Sequence, residues 1–282
     1  MAVDTETLDA LAATPVREVI PAEAFMPIIT STPFIPSRSM LNLRDVGAVP
    51  GSAVPAGRAY RCGTLEYAAK DPEALAWLAA NVRKVFDLRK AGSERDGSLD
   101  PVLPGVENVW LPGAGSYPTP NIDDFAKEDG VPAWRTQYLN VALIYRPMFK
   151  AVLDHIRDRP REPFLFHCTA GRDRTGVLAG LLHHLAGTPP EAAVRDYMIS
   201  RIGIEPVRDK LMPFAMKTAG VDDPEAPGFY NLVELKPEYY AAFLAALDDE
   251  FGGWDGYITD AERGLGLSAE ELVTVKENLR SE

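Results

Sequence analysis

The chain of 282 residues has only two cysteines, Cys62 and Cys168, and four histidines. Two thiols exclude a disulfide framework and a cysteine-built zinc site, and they suit a reducing compartment. Long apolar runs are also missing: no stretch approaches the roughly 20 residues needed to cross a bilayer. Met1 to Glu23 lacks the basic start and unbroken apolar core of a secretory leader, so a cytoplasmic location is expected. Positive charge is in deficit. With 41 acidic against 29 basic side chains the formal charge is −12, which argues against nucleic acid as a partner and against a broadly basic membrane-binding face. There is no internal repeat and no low-complexity tract. One absence is local: from Val131 to Leu153 there is no Asp or Glu.

What remains is the composition of an ordinary globular protein, 46% hydrophobic and 25% charged. Its most informative stretch runs from Phe164 to Gly176. The apolar run Phe164-Leu165-Phe166 reads as a buried strand, while Val177, Leu178, Leu181, Leu182 and Leu185 recur at helical spacing. The loop between them therefore sits at a helix N-terminus, where unpaired N–H groups and the helix dipole favour anions.

Cys168 and Arg174 are separated by five residues, enough to curl the loop into a cup with the thiol at its base and the guanidinium over its rim. Such a guanidinium grips a phosphoryl group through paired hydrogen bonds, and the N–H groups of Thr169, Ala170, Gly171, Arg172, Asp173 and Arg174 converge on its oxygens as an anion nest. The same field is expected to make Cys168 a thiolate at neutral pH. A thiolate in a phosphate cup is an in-line nucleophile, giving a cysteinyl-phosphate that water then hydrolyses. Thr175 is positioned to hydrogen-bond the departing sulfur, and His167 to hold the loop from behind.

The pattern His-Cys-x5-Arg-Thr-Gly resembles the signature of the protein tyrosine phosphatase superfamily. In its longer form, HCTAGRDRTG, it is similar to the loop of bacterial tyrosine/serine phosphatases, some of which also act on phosphoinositides. NLRDVG (42–47), AYRCGTL (59–65), VFDLR (85–89) and GYITDAERGLGLS (256–268) extend the resemblance over most of the chain from Asn42. Cys62 stands where these relatives usually carry Ser, and Arg172 where they usually carry Lys, a change that keeps the charge but alters its shape. A phosphate enzyme of net charge −12 must make its positive potential locally, so Arg172, Arg174 and Arg89 are expected to make the cleft a basic island. The resemblance implies an α/β fold with a central mixed, largely parallel sheet of about four to five strands flanked by helices. It also implies phosphatase chemistry without metal or cofactor, acting on a phosphoprotein or phosphoinositide, in a protein expected to be monomeric. Some such relatives are exported by non-classical routes. The rival reading is a pseudophosphatase that binds phospho-ligands without turning them over.

Along the chain, residues 1–38 contain a short helical candidate at Leu8 to Ala13 and prolines at 15, 21, 27, 33 and 36. This density predicts an extended arm preceding one catalytic domain at 39–282. Strands are expected at Arg58–Cys62, Val82–Leu88 and Val106–Leu111. Asp71-Pro72 should start a helix. The end of the second strand presents Asp87 and Arg89 either to the site or to each other as a buried ion pair. Residues 112–132 read as a long loop, a candidate lid bringing Tyr117, Asp123, Asp124 and Phe125 near the cleft. The helical pattern of 134–157 should break near Pro147. Gly187 should end the helix that follows the loop, and Thr188-Pro-Pro-Glu191 and Ser268 with Glu271 have the form of capping boxes within a helical C-terminal part.

A phosphatase also needs a proton donor for its leaving oxygen. With no acid in 131–153, the candidates are Asp173 inside the loop, Asp87 at the strand end, or an Asp in 123–129. Asp173 is preferred because it is tied to the nucleophile in sequence and because the resemblance points to the same position.

Overall fold

A computed structural model of the chain describes residues 4–92 and 94–281. Its strands are β1 (Arg44–Asp45), β2 (Ala59–Cys62), β3 (Lys84–Asp87), β4 (Glu107–Val109) and β5 (Phe164–His167). They form one sheet in the order β1-β2-β5-β3-β4, antiparallel between β1 and β2 and parallel elsewhere. The expected mixed, largely parallel α/β sheet is thus present, with the strand before Cys168 at its centre.

Alternation of side chains along these strands sorts the core into two layers. Phe164 and Phe166 of β5 and Phe86 of β3 face the larger layer, where helices Val131–Ile144, Arg146–Asp158, Asp173–Ala186, Pro237–Phe251 and Ala269–Arg280 bury their apolar sides. Leu165, Val85, Tyr60 and Cys62 face a smaller layer covered by helix Pro72–Asn81. Cys62 and Cys168 fall in different layers, both as free thiols. Burial pushes the Cys62 thiol well above its ordinary range, which suits an inert core residue.

Register matters more to the site than layering does. Cys62 and Asp87 are both paired with His167, so three parallel strands end side by side at their carboxyl edge. The segments that follow, beginning at Gly63, Leu88 and Cys168, emerge there together. This is where open α/β sheets bind ligands.

Several local expectations hold: Asp71 caps the helix that Pro72 begins, Ser268 and Glu271 form a capping box, and Gly187 ends its helix in the left-handed conformation at φ 81°. The helical run after Trp134 breaks at Tyr145, and Pro147 lies in the first turn of the next helix. Others differ. Thr188 does not cap Pro190–Met198; its hydroxyl accepts from the Ala53 N–H (3.0 Å) and contacts His183 Nδ1 (3.1 Å). The helical candidate at Leu8 to Ala13 falls on helix Thr5–Ala12, but a second helix, Ala22–Ile29, forms with Pro27 inside it where an extended arm was expected. Leu8, Ala12, Val16, Ile20 and Ile28 of this segment are buried. Within 112–132, helix Ile122–Phe125 forms and sends Phe125 into the core against Trp134, while Asp123 and Asp124 stay exposed.

The most heavily charged part of the interior lies beside β1 and β2. Asp196 accepts from Arg44 Nε (2.8 Å) and Arg61 Nη1 (2.7 Å), and His183 Nε2 is 3.3 Å away. All three charged side chains are essentially inaccessible to solvent. Burial opposes the Asp196 charge, but the two guanidiniums outweigh it and hold the carboxyl well below its usual range. Removing one partner of such a cluster strands uncompensated buried charge. We expect Asp196→Ala to cost about 3–5 kcal/mol of stability, read as a lower midpoint in urea denaturation.

Candidate active site

The loop from Cys168 to Asp173 is shaped by what grips it from outside. The Thr169 carbonyl accepts from the Thr64 N–H (3.0 Å). The Gly171 carbonyl accepts from the Asn42 amide (2.9 Å) and from Arg61 Nη2 (3.0 Å), which also reaches the Arg172 carbonyl (3.2 Å) and the Thr175 hydroxyl (3.1 Å). With these carbonyls turned outward, the N–H groups of residues 169–174 have no acceptor among the described residues. Gly171 permits the turn: its φ is +67°, and a Cβ there would lie 2.4 Å from the Cys62 carbonyl carbon. Asn42 and Arg61 belong to the two N-terminal motifs, whose part in the site is to hold this loop.

Inside the turn, Cys168 is buried, with Sγ 4.0 Å from Thr175 Oγ1. Helix Asp173–Ala186 begins at the loop's end and directs its N-terminus toward the cup. Arg174 Nη1 donates to the Leu88 carbonyl (3.0 Å) and to Glu94 (2.7 Å), and Nη2 donates to Thr169 Oγ1 (3.2 Å). Glu94 therefore sits as a carboxylate on the guanidinium that an anion would need. Burial opposes its charge, yet Arg174 prevails and holds it below the usual carboxylate range. No spacing in the polar segment 91–100 singled out Glu94 in the sequence.

Two sequence-predicted residues, Arg172 and Asp87, are committed to neighbours within the chain. Arg172 does not offer its guanidinium to the cup. Its Nε donates to both Asp173 oxygens (2.9 and 3.0 Å), Nη1 to the Val233 carbonyl (2.6 Å) and Nη2 to the Leu232 carbonyl (3.3 Å), beneath the Trp134 ring. Asp173 also accepts from the Tyr138 hydroxyl (3.0 Å), so its carboxyl is oriented while still lining the cavity that holds Cys168. Asp87 is almost fully buried, bonded by Arg89 Nε (2.9 Å) and Nη2 (3.0 Å) and by Arg95 Nε (3.0 Å). Burial opposes its charge, but His167 and Arg89 lower it below the ordinary carboxylate range. The geometry is that of the structural ion pair, and Asp87 does not line the cavity that holds Cys168.

Behind Cys168, His167 Nε2 lies 2.9 Å from Asp100 Oδ2 and 3.8 Å from Asp87 Oδ1. Arg89 bridges both acids, reaching Asp100 Oδ1 at 2.9 Å. Asp87, Asp100 and His167 could in principle face one cation, but Arg89 and Arg95 already neutralise the two carboxylates. Asp100 is another residue that sequence pattern did not mark.

The cavity in front of Cys168 has a volume of about 680 Å³, with Tyr117, Trp134, Asp173 and Arg174 on its walls. Tyr117 thus reaches the cleft as expected of the 112–132 segment, while Asp123, Asp124 and Phe125 do not line it. Tyr145 reinforces Arg174, its hydroxyl accepting at 3.3 Å.

His167 carries a pH dependence. Burial disfavours the imidazolium, but Asp100 and Asp87 outweigh it and raise the group above its ordinary value. The folded chain therefore holds this proton more tightly than the unfolded one. Its contribution is complete below about pH 6.5, the unfolded value, and is lost as pH rises through the raised folded value. We expect the unfolding free energy to fall above pH 6.5 with a slope of up to about 1.4 kcal/mol per unit. Asp100→Asn should remove that component when urea unfolding is compared across pH 6 to 9.

Comparison with known proteins agrees with this geometry. The tyrosine phosphatase family profile matches residues 35–281. A tyrosine-protein phosphatase from Nostoc commune is 36% identical over 135 residues, covering 48% of this chain and 45% of that protein. A putative tyrosine-protein phosphatase of Cupriavidus necator is 29% identical over 78% of this chain and 81% of its own length. The triple specificity protein phosphatase PtpB of Mycobacterium tuberculosis is 28% identical over 35% of this chain and 38% of its own. The chain thus spans less than half the length of two of these three relatives. The family match runs through every strand of the sheet and the whole loop from Cys168 to Arg174, and the chain belongs to the tyrosine phosphatase family.

Proposed function

We propose that the protein hydrolyses phosphate monoesters, with phosphotyrosine as principal substrate, through a cysteinyl-phosphate intermediate. One observation carries the reading: Cys168, Thr169, Ala170, Asp173 and Arg174 line one cavity, and the N–H groups of 169–174 have no acceptor among the described residues. The phosphoryl dianion takes the place of the Glu94 carboxylate on Arg174, and its oxygens accept from the loop. The Cys168 thiolate attacks phosphorus, and the P–O bond to the leaving group breaks as S–P forms. Asp173 delivers the proton that the departing oxygen needs, held for that task by Tyr138 and Arg172. In the second half Asp173 takes a proton from water, the water oxygen attacks phosphorus, and the Thr175 hydroxyl stabilises the sulfur as it leaves. No metal or cofactor enters these steps.

Phosphoserine, phosphothreonine and phosphoinositides are secondary substrates in this reading, supported by the sequence resemblance and by the name of the mycobacterial relative. Two free thiols favour a reducing compartment, and we assign the protein to the cytoplasm. No helix among the described residues is long and apolar enough to cross a membrane. We also take residues 39–282 as the catalytic unit.

Turnover of p-nitrophenyl phosphate by the unmodified protein, abolished in Cys168→Ser, is the deciding result. Its absence in the unmodified protein would leave the pseudophosphatase reading standing. Asp173→Asn should lose about 10²–10⁴-fold in rate with alkyl phosphates and far less with p-nitrophenyl phosphate, whose phenolate leaves unaided. Asp87→Asn should show no such dependence on the leaving group.

A further inference from the structure

Residues 14–20 precede the stretch shared with the family, which begins at 35. Val16 among them nonetheless lines the cavity that holds Cys168. Arg201 Nε donates to the Thr14 carbonyl (3.0 Å) and its Nη2 to the Glu18 carbonyl (2.6 Å). Arg208 Nη2 donates to the Val16 carbonyl (2.6 Å). The Ile20 N–H donates to Glu205 (2.7 Å), which is itself paired with Arg201, and the Val16 N–H donates to Glu234 (3.0 Å). Arg201 and Glu205 are each only 2% exposed in their side chains. A surface tail does not engage buried charges in this way. The segment is fixed backbone atom by backbone atom.

What it supports is helix Arg208–Ala219. This helix has no fully buried residue of its own, so it owes its place to the apolar seat beneath it. Met212, Ala215 and Met216 rest on Val16, Phe229 and Val233. Leu211, Met212, Phe214 and Ala215 of this helix line the cavity that contains Cys168, and Val16 lines the same cavity.

We propose that residues 14–20 form the far wall of the substrate cleft, with Val16 as a specificity-determining residue for the part of the substrate beyond the phosphate. The inference rests on the phosphatase reading. Val16, Ile204, Leu211 and Met212 contribute apolar side chains to the cavity wall, which take an apolar side chain neighbouring the phosphorylated residue of a peptide and offer a carboxylate no hydrogen bond.

The test compares kcat/KM for p-nitrophenyl phosphate with that for two phosphotyrosine peptides, one with leucines and one with aspartates flanking the phosphotyrosine. The unmodified protein should prefer the leucine peptide. In Val16→Asp the ratio of leucine-peptide to p-nitrophenyl phosphate kcat/KM should fall about tenfold, chiefly through KM, and Val16→Ile should retain it. If Val16→Asp does not fold, as judged by circular dichroism, Val16→Ala serves, with a fall in the same ratio of about threefold expected. A ratio that stays constant in the folded variants, or a loss shared equally by all three substrates, would overturn the proposal and leave the segment a purely structural strap. No turnover of p-nitrophenyl phosphate by the unmodified protein would instead overturn the phosphatase reading itself.

Discussion

The Asp196 carboxylate, buried between Arg44 and Arg61, is the constraint on which the site depends. Arg61 spends one end of its guanidinium on Asp196 and the other on the carbonyls of Gly171 and Arg172 and on the Thr175 hydroxyl. The catalytic loop is thus fastened to a charge cluster that cannot relax without exposing ions to an apolar interior. Arg44 donates in turn to Ser200 and to the Asp196 carbonyl, which draws helix Pro190–Met198 and the start of the next one into the same arrangement. A cup that must present several N–H groups at once gains from this rigidity. Its donors are oriented before any ligand arrives, so little reorganisation remains to be done on binding.

A second consequence concerns charge. The protein carries a formal net charge of −12, and the cleft does not correct this with a broad basic field. Arg172 is neutralised by Asp173, Arg89 by Asp87 and Asp100, and Arg174 by Glu94. Each guanidinium near the loop therefore has an acid assigned to it. Only Arg174 has a partner that a dianion is suited to displace, since the phosphoryl group brings more charge and more acceptor oxygens than one carboxylate. Attraction at long range is weak, and recognition falls to contacts inside the cup.

How far the sequence disclosed this depends on whether the governing contact was local. The strand, loop and helix around Cys168 were legible because apolar periodicity, a five-residue spacing and a helix N-terminus all lie in one short stretch. Asp71, Ser268 and Gly187 were legible for the same reason, since caps act within a turn of the helix they end. Thr188 failed because a distant backbone N–H, that of Ala53, competed for its hydroxyl. The first N-terminal helix was legible in part, at Leu8 to Ala13, whereas Ala22–Ile29 was hidden by its prolines and packs on the distant helix Ser200–Gly203. Glu94 and Asp100 lie in a polar segment with no periodicity, and only the sheet register brings them to the loop. Arg172 was misplaced because spacing alone cannot tell a guanidinium that faces a ligand from one that binds its own neighbour.

The position of Asp173 follows from these same constraints. An acid on a mobile upstream segment would need a closing motion to complete the site, and 131–153, where such a residue might stand, is instead two helices that bury Trp134, Tyr138, Val141, Phe149 and Val152 in the core. That region is acid-free because it is structural. An acid placed in the first turn of helix Asp173–Ala186 shares the rigid frame of the nucleophile, and its orientation is set by Tyr138 from one of those helices and by Arg172 from the loop. Replacing the flexible lysine of related loops with Arg172 strengthens this hold, because a planar guanidinium can bond both carboxylate oxygens and two backbone carbonyls at once. The same substitution withdraws a cation from the ligand. In the mechanism proposed above, such a loop favours orienting Asp173 as proton donor over gathering additional phosphate charge.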